Sequence, residues 1–181
     1  GYSSAASDVY KRQGLKTGSL FSCPYSSQKM IIKEIREFNQ KLTQKGIRII
    51  PVRISDKRML VYVYRPEKLK EDFSDEKTQI ILKCKGYDCT NPSQCICRLI
   101  QKLQSDPDFP HEIGLFLGYP AEDVKGFIEN KAACSKCSGC WKVYGDEQAA
   151  RILFKKYKKC TEIYCRRWKS GVAVEQLTIT I

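Results

Sequence analysis

Two runs of β-branched and aromatic residues, Ile47 to Ile54 and Met59 to Tyr64, are separated only by Ser55-Asp56-Lys57-Arg58. Two such runs joined by a short polar link read as a β-hairpin, so the chain has to build sheet as well as helix. Pro51 has no N–H to offer a ladder, which puts the first strand at an edge or gives it a bulge.

Helical signals flank this hairpin. Ile31, Ile35, Phe38 and Leu42 step by four, three and four residues, one face of a helix that Ser26 or Ser27 can cap and Gly46 can end. A short helix is predicted after Pro66. Another follows a Ser74 cap, with Asp75 and Glu76 in its first turn and Gly86 closing it. Asn91-Pro92-Ser93-Gln94 sets a capping side chain, an N1 proline and an N3 glutamine in register, ahead of Ile96, Leu99, Ile100 and Leu103. Ile113 to Leu117 reads as a short apolar strand, Pro120 opens a helix buried through Val124, Phe127 and Ile128, and Trp141 to Tyr144 reads as another strand. Gly145-Asp146 starts a long last helix with Leu153, Tyr157, Cys160, Tyr164 and Trp168 on one stripe, ended by Gly171. This mixed order predicts an α+β fold with a single mixed β-sheet of four to five strands flanked by helices, rather than a doubly wound parallel sheet.

Not all of the chain belongs to that fold. Ser3 to Gln13 reads SSAASDVYKRQ, which resembles an in-frame translation of a sequencing adapter. Residues 1–13 are therefore expected to be a non-native disordered tail, and 14–181 a single α+β domain lacking its native N-terminus. The formal charge of +12 falls only to +11 without the tail, so the basic balance belongs to the domain. The longest uncharged apolar stretch, Ile113 to Ala121, has about half of the ~20 residues that a membrane helix needs. Ten cysteines are too dilute for a disulfide scaffold, which points to reduced thiols and a cytoplasmic setting, with no membrane partner. Walker, dinucleotide-binding, HExxH and Gly-x-Ser-x-Gly motifs are absent from the sequence.

Phe109-Pro110-His111-Glu112-Ile113-Gly114-Leu115-Phe116-Leu117-Gly118-Tyr119-Pro120, then Glu122-Asp123-Val124, Gly126-Phe127-Ile128 and Cys140-Trp141-Lys142-Val143-Tyr144, form long and specific strings. Together with Gly14 to Phe21 and Lys159-Cys160-Thr161, they resemble an uncharacterised family of anaerobic Gram-positive bacteria, the domain-of-unknown-function family numbered 3793. The resemblance implies no activity, cofactor or catalytic residue. Relatives of this kind carry a His-Cys-Ala-Pro-Thr-like segment directly before the position of Gly14, where this chain has the adapter-like tail.

Three chemistries are open. His111, the only histidine, can act as a general base with Glu112 or Asp123 orienting it, and Asp108 and Glu122 as further orienting candidates. A cysteine at a helix start followed far along by a histidine has the order of parts of a papain-like thiol enzyme. The function expected from this is a cysteine-dependent hydrolase or transferase whose nucleophile went with the missing segment. The alternative is a histidine hydrogen-bonded to backbone.

Cys134, Cys137 and Cys140 have C-x2-C-x2-C spacing, which lets thiolates converge on zinc or an iron–sulfur cluster. Lys136 would help to hold them deprotonated, and His111, Cys89, Cys95 or Cys97 could complete the shell. The alternative is a set of plain loop thiols. Finally, between Ala150 and Lys169 of the last helix, Lys155, Lys156, Lys158, Lys159, Arg166 and Arg167 crowd against one acid, Glu162. That surface fits a non-enzymatic basic module for nucleic acid or an acidic protein, or a merely solvated face.

Overall fold

A computed structural model describes residues 16–105, 108–173 and 176. The expected tail at Gly1–Gln13 lies outside them. The chain opens with strand β1 (Gly18–Pro24), helix α1 (Gln28–Leu42), a 3-10 turn at Thr43–Lys45, and strands β2 (Arg48–Ile54) and β3 (Arg58–Tyr64). Helices α2 (Pro66–Phe73), α3 (Glu76–Cys84), α4 (Pro92–Ser105), α5 (Ile113–Phe116) and α6 (Ala121–Asn130) follow. A minimal hairpin, β4 (Cys137–Ser138) and β5 (Lys142–Val143), leads into α7 (Glu147–Lys169).

The single mixed sheet expected from the sequence is not formed. Among the described residues there are two separate sheets, β1-β3-β2 and β4-β5, both antiparallel, while the α+β character holds. One error came from Ile113 to Leu117, which is not a strand. Ile113, Gly114, Leu115 and Phe116 are all buried, and an apolar run with no exposed face carries no period to separate strand from helix. Pro110 upstream and Gly118 at φ +78° downstream confine it to one helical turn. The second error is β1. It was not foreseen because its residues do not alternate: Phe21 is 53% exposed and the strand buries only Gly18 fully. Its register with β3 is nonetheless continuous, from Gly18 opposite Tyr64 to Pro24 opposite Arg58.

The hairpin at 47–64 forms as expected. β2 lies at the sheet edge with a bulge between Pro51 and Arg53. The central strand β3 shows why the sheet is covered on both sides. Met59, Val61 and Val63 point to α1, where Ile35 meets them, and Leu60, Tyr62 and Tyr64 point to the larger core of Leu99, Leu103, Phe73 and Phe116. The Tyr62 hydroxyl donates to the Phe116 carbonyl at 2.5 Å, tying the α5 turn to the middle of the sheet. Gly18 sits in the same joint; a Cβ there would lie 2.6 Å from that carbonyl oxygen.

Local caps explain the helix boundaries. Ser27 accepts from the Met30 N–H, Asp75 rather than Ser74 accepts from Thr78 at 2.8 Å, Asn91 accepts from Ser93 at 2.9 Å, and Asp146 accepts from Ala149 at 3.0 Å. The Asn39 side chain grips the outer edge of β2, donating to the Ile49 carbonyl at 2.7 Å and accepting from its N–H at 2.8 Å. No helix among the described residues is long and apolar enough to cross a membrane.

Candidate functional site

His111 stands in the turn that leads from Pro110 into α5, not at the head of a strand. Its ring is exposed and meets Phe127 of α6 edge-on, with centroids 5.0 Å apart and planes at 79°. Among the described residues it makes no hydrogen bond.

The carboxylates expected to orient His111 are engaged elsewhere. Glu112, 4% exposed, accepts from Lys102 Nζ at 2.7 Å and from the Tyr87 hydroxyl at 3.0 Å. Lys102 also donates to the Lys85 carbonyl at 2.7 Å and lies over the Tyr87 ring. Burial pushes the Glu112 carboxyl up, but the hydrogen bonds from Lys102, backbone and Tyr87 outweigh it and hold the group below its ordinary 4.5. Burial, then the neighbouring carboxylate, pushes the Tyr87 phenol well up. Neither Tyr87 nor Lys102 was foreseen, because each comes from another helix or loop and nothing in the local pattern marks it.

Asp123, 3% exposed, opens α6 and faces the second hairpin. Oδ2 accepts from the Trp141 indole N–H at 2.6 Å, and Oδ1 accepts from the backbone N–H groups of Tyr144 and Gly145 at 2.8 and 2.7 Å. A turn further on, Gly126 leaves room for the Tyr144 ring, which a Cβ would approach to 2.3 Å. The Glu-Asp-Val-x-Gly-Phe-Ile and Trp-Lys-Val-Tyr strings are thus two halves of one joint. Glu122 points outward instead and pairs with Lys77 of α3.

Trp141 is the hub of that joint, stacked on Tyr119 with centroids 4.7 Å apart and edge-on to Phe154 at 4.6 Å. The three cysteines of the C-x2-C-x2-C run sit in different settings. Cys134 is exposed with φ +57°, Cys137 is half-buried against the Trp141 cluster, and Cys140 is exposed, its carbonyl accepting from the Tyr119 hydroxyl. Among the described residues no three His, Cys, Asp or Glu side chains are gathered so that they could hold a metal ion. Nor do the proposed fourth ligands gather there. The buried Cys95 thiol donates to the Asp88 carbonyl at 2.9 Å, and burial pushes it up to about 11, while Cys97 is exposed on the same helix.

Two cavities meet at His111. One, of about 330 Å³, is walled by Phe109, Tyr119, Phe127 and Trp141; the other, of about 430 Å³, is polar and includes Lys85, Lys102 and Asp108. Phe109 and His111 line both.

On α7 the predicted stripe packs as far as Tyr164, whose hydroxyl is buried, and fails at its last residue. Leu153, Phe154 and Tyr157 rest against Trp141, whereas Trp168 is 59% exposed. Lys155, Lys156, Lys158, Lys159 and Arg166 are exposed and Arg167 is half-buried. Arg151 pairs with Glu147 one turn earlier, but among the described residues Lys155, Lys156, Lys158, Lys159 and Arg166 form no ion pair.

The family model described as Protein of unknown function (DUF3793) matches residues 10–178. No curated protein and no solved structure matches the chain.

Proposed function

The chain belongs to this family of proteins of unknown function, and we propose that it binds the phosphate backbone of a nucleic acid along the exposed face of α7. The observation that carries the proposal is the row of exposed cations on that face, which share it with a single acid, Glu162, and of which Lys155, Lys158, Lys159 and Arg166 form no ion pair among the described residues. At 3.6 residues per turn, Lys155, Lys158, Lys159, Arg166 and Lys169 fall on one side of the helix, with Lys156 and Arg167 at its flank. From Lys155 to Lys169 the row extends along roughly 21 Å of the helix. An extended row of charge suits a polymer with a repeating charge better than one compact acidic patch on a protein. A membrane surface is disfavoured because an in-plane helix needs its apolar face free, and here Leu153, Phe154 and Tyr157 are spent on Trp141. The pI of about 9.2 is of the kind that such proteins carry.

The thiol-enzyme expectation gains nothing from the geometry around His111, since Glu112 and Asp123 are both occupied by other donors. The metal expectation is likewise without a gathered ligand set among the described residues.

Fluorescence anisotropy with a labelled DNA duplex and a labelled single strand tests the proposal over a salt series. The logarithm of the affinity should fall linearly with log salt, with a slope of about 0.9 per phosphate neutralised on the duplex and about 0.7 on the single strand. The triple variant Lys155→Glu, Lys159→Glu, Arg166→Glu should abolish binding and keep its circular dichroism. Binding that ignores salt, or that survives the triple variant, overturns the proposal. So does a chain that binds anionic vesicles and neither nucleic acid.

A further inference from the structure

The meeting of two unlike cavities at one histidine is independent of the α7 surface. We infer that they form a single binding site for a small molecule with a flat apolar body and an anionic head. The body fits the cavity of about 330 Å³, a volume within the range of small-ligand pockets. Two aromatic pairs furnish its walls: Tyr119 stacked on Trp141, and His111 edge-on to Phe127. A planar ring offers such walls both face and edge contacts. The two charged groups in its lining are not aimed at a guest. Asp123 is filled by three N–H donors and Lys142 Nζ donates to the Ala132 carbonyl at 3.0 Å. The apolar cavity therefore selects by shape and burial.

The head is specified by what remains open in the adjoining polar cavity of about 430 Å³. Its carboxylates are engaged: Glu112 holds Lys102 and Tyr87, and Asp108 has a partner of its own. Among the described residues, Lys85 Nζ and the His111 ring make no hydrogen bond or ion pair. The free valences there are donors, so an anionic oxygen group is the complement. Phe109, 44% exposed, borders both cavities and would be covered by a ligand that spans them.

The probe is 3-phenylpropionate, with 3-phenylpropionamide as its neutral twin, titrated into the full chain carrying Trp168→Phe so that Trp141 is the only indole. The carboxylate should change Trp141 emission saturably, and the amide should bind about tenfold more weakly, the loss of one charge-assisted hydrogen bond. Lys85→Ala, which removes no wall of the apolar cavity, should bring the carboxylate toward the amide's level and weaken the amide far less. Equal affinity for acid and amide overturns the anionic head. No saturable response to either compound, in protein whose circular dichroism is intact, overturns the site. Neither result bears on nucleic-acid binding by α7.

Discussion

The β1-β3-β2 sheet and the β4-β5 hairpin are both antiparallel, yet they are stabilised in opposite ways. The first spreads its packing over two faces, α1 on one and the Tyr62, Leu99, Leu103 and Phe116 core on the other. The second has two residues per strand and one indole at its centre, and it is joined to α6 by the Asp123 carboxylate and by the Tyr144 ring seated on Gly126. Distributed apolar burial degrades gradually under substitution, whereas an arrangement that converges on one ring and one acid fails at either. Each region also buries one carboxylate. Glu112 is balanced by a cation, Asp123 by neutral N–H donors.

Trp141→Ala is the strongest way to break this comparison. It should cost about 3–5 kcal/mol by chemical denaturation, the usual range for a large aromatic removed from a packed site. Hydrogen exchange should then quicken in α7 and at Tyr144 and Gly145 while β3 amides stay protected. Even loss of protection across both regions would mean that they unfold as one unit.

Lys102→Met comes next, at about 3 kcal/mol, because it leaves the Glu112 charge buried and unpaired. The accompanying pH dependence has a definite sign. The folded-state value of Glu112 is depressed, so its contribution is present above the ordinary 4.5 and is lost as pH falls through the lower folded value. Acid titration of the wild type should show that loss below about pH 4.5, and in Lys102→Met the same window should flatten. An unchanged acid limb would count against the pair.

Asp123→Asn should cost about 1–3 kcal/mol, since an amide can accept from only some of the three donors now served. Its thermal denaturation should resemble a mild form of Trp141→Ala. The smallest effect is Ser27→Ala at the start of α1, about 1 kcal/mol for a lost cap. In the region with distributed packing that loss should lower the melting temperature without changing which amides exchange first.

The same contrast decides what the sequence made legible. The hairpin at 47–64, its bulge beside Pro51, and the limits of α1, α4 and α7 are written in neighbouring residues: β-branched runs, Ser27, Asn91, Asp146 and the glycines at 46 and 171. What escaped is set by partners distant in the chain. β1 pairs with β3 some forty residues later and has no alternation of its own to announce it. Asp123 was recognised as a residue of interest but given the wrong partner. Its true donors lie 18 to 22 residues away on an element too short to show a period. His111 stands out in the sequence as its one histidine, while the two cavities that it borders are assembled from three helices and a hairpin. The cation row on α7 was visible directly, because helical spacing and charge are both local.

The grip of Asn39 on β2 has a further effect. A strand at the margin of a sheet is a template on which another chain can be laid, and partly folded proteins aggregate along such margins. On β2 the N–H and C=O of Ile49 already belong to Asn39, Pro51 brings no N–H, and the bulge to Arg53 breaks the pleat just beyond. No run of adjacent vacant backbone groups is left there for a foreign strand to zip onto. Copies of this protein that meet along β2 must associate through side chains rather than by extending the sheet.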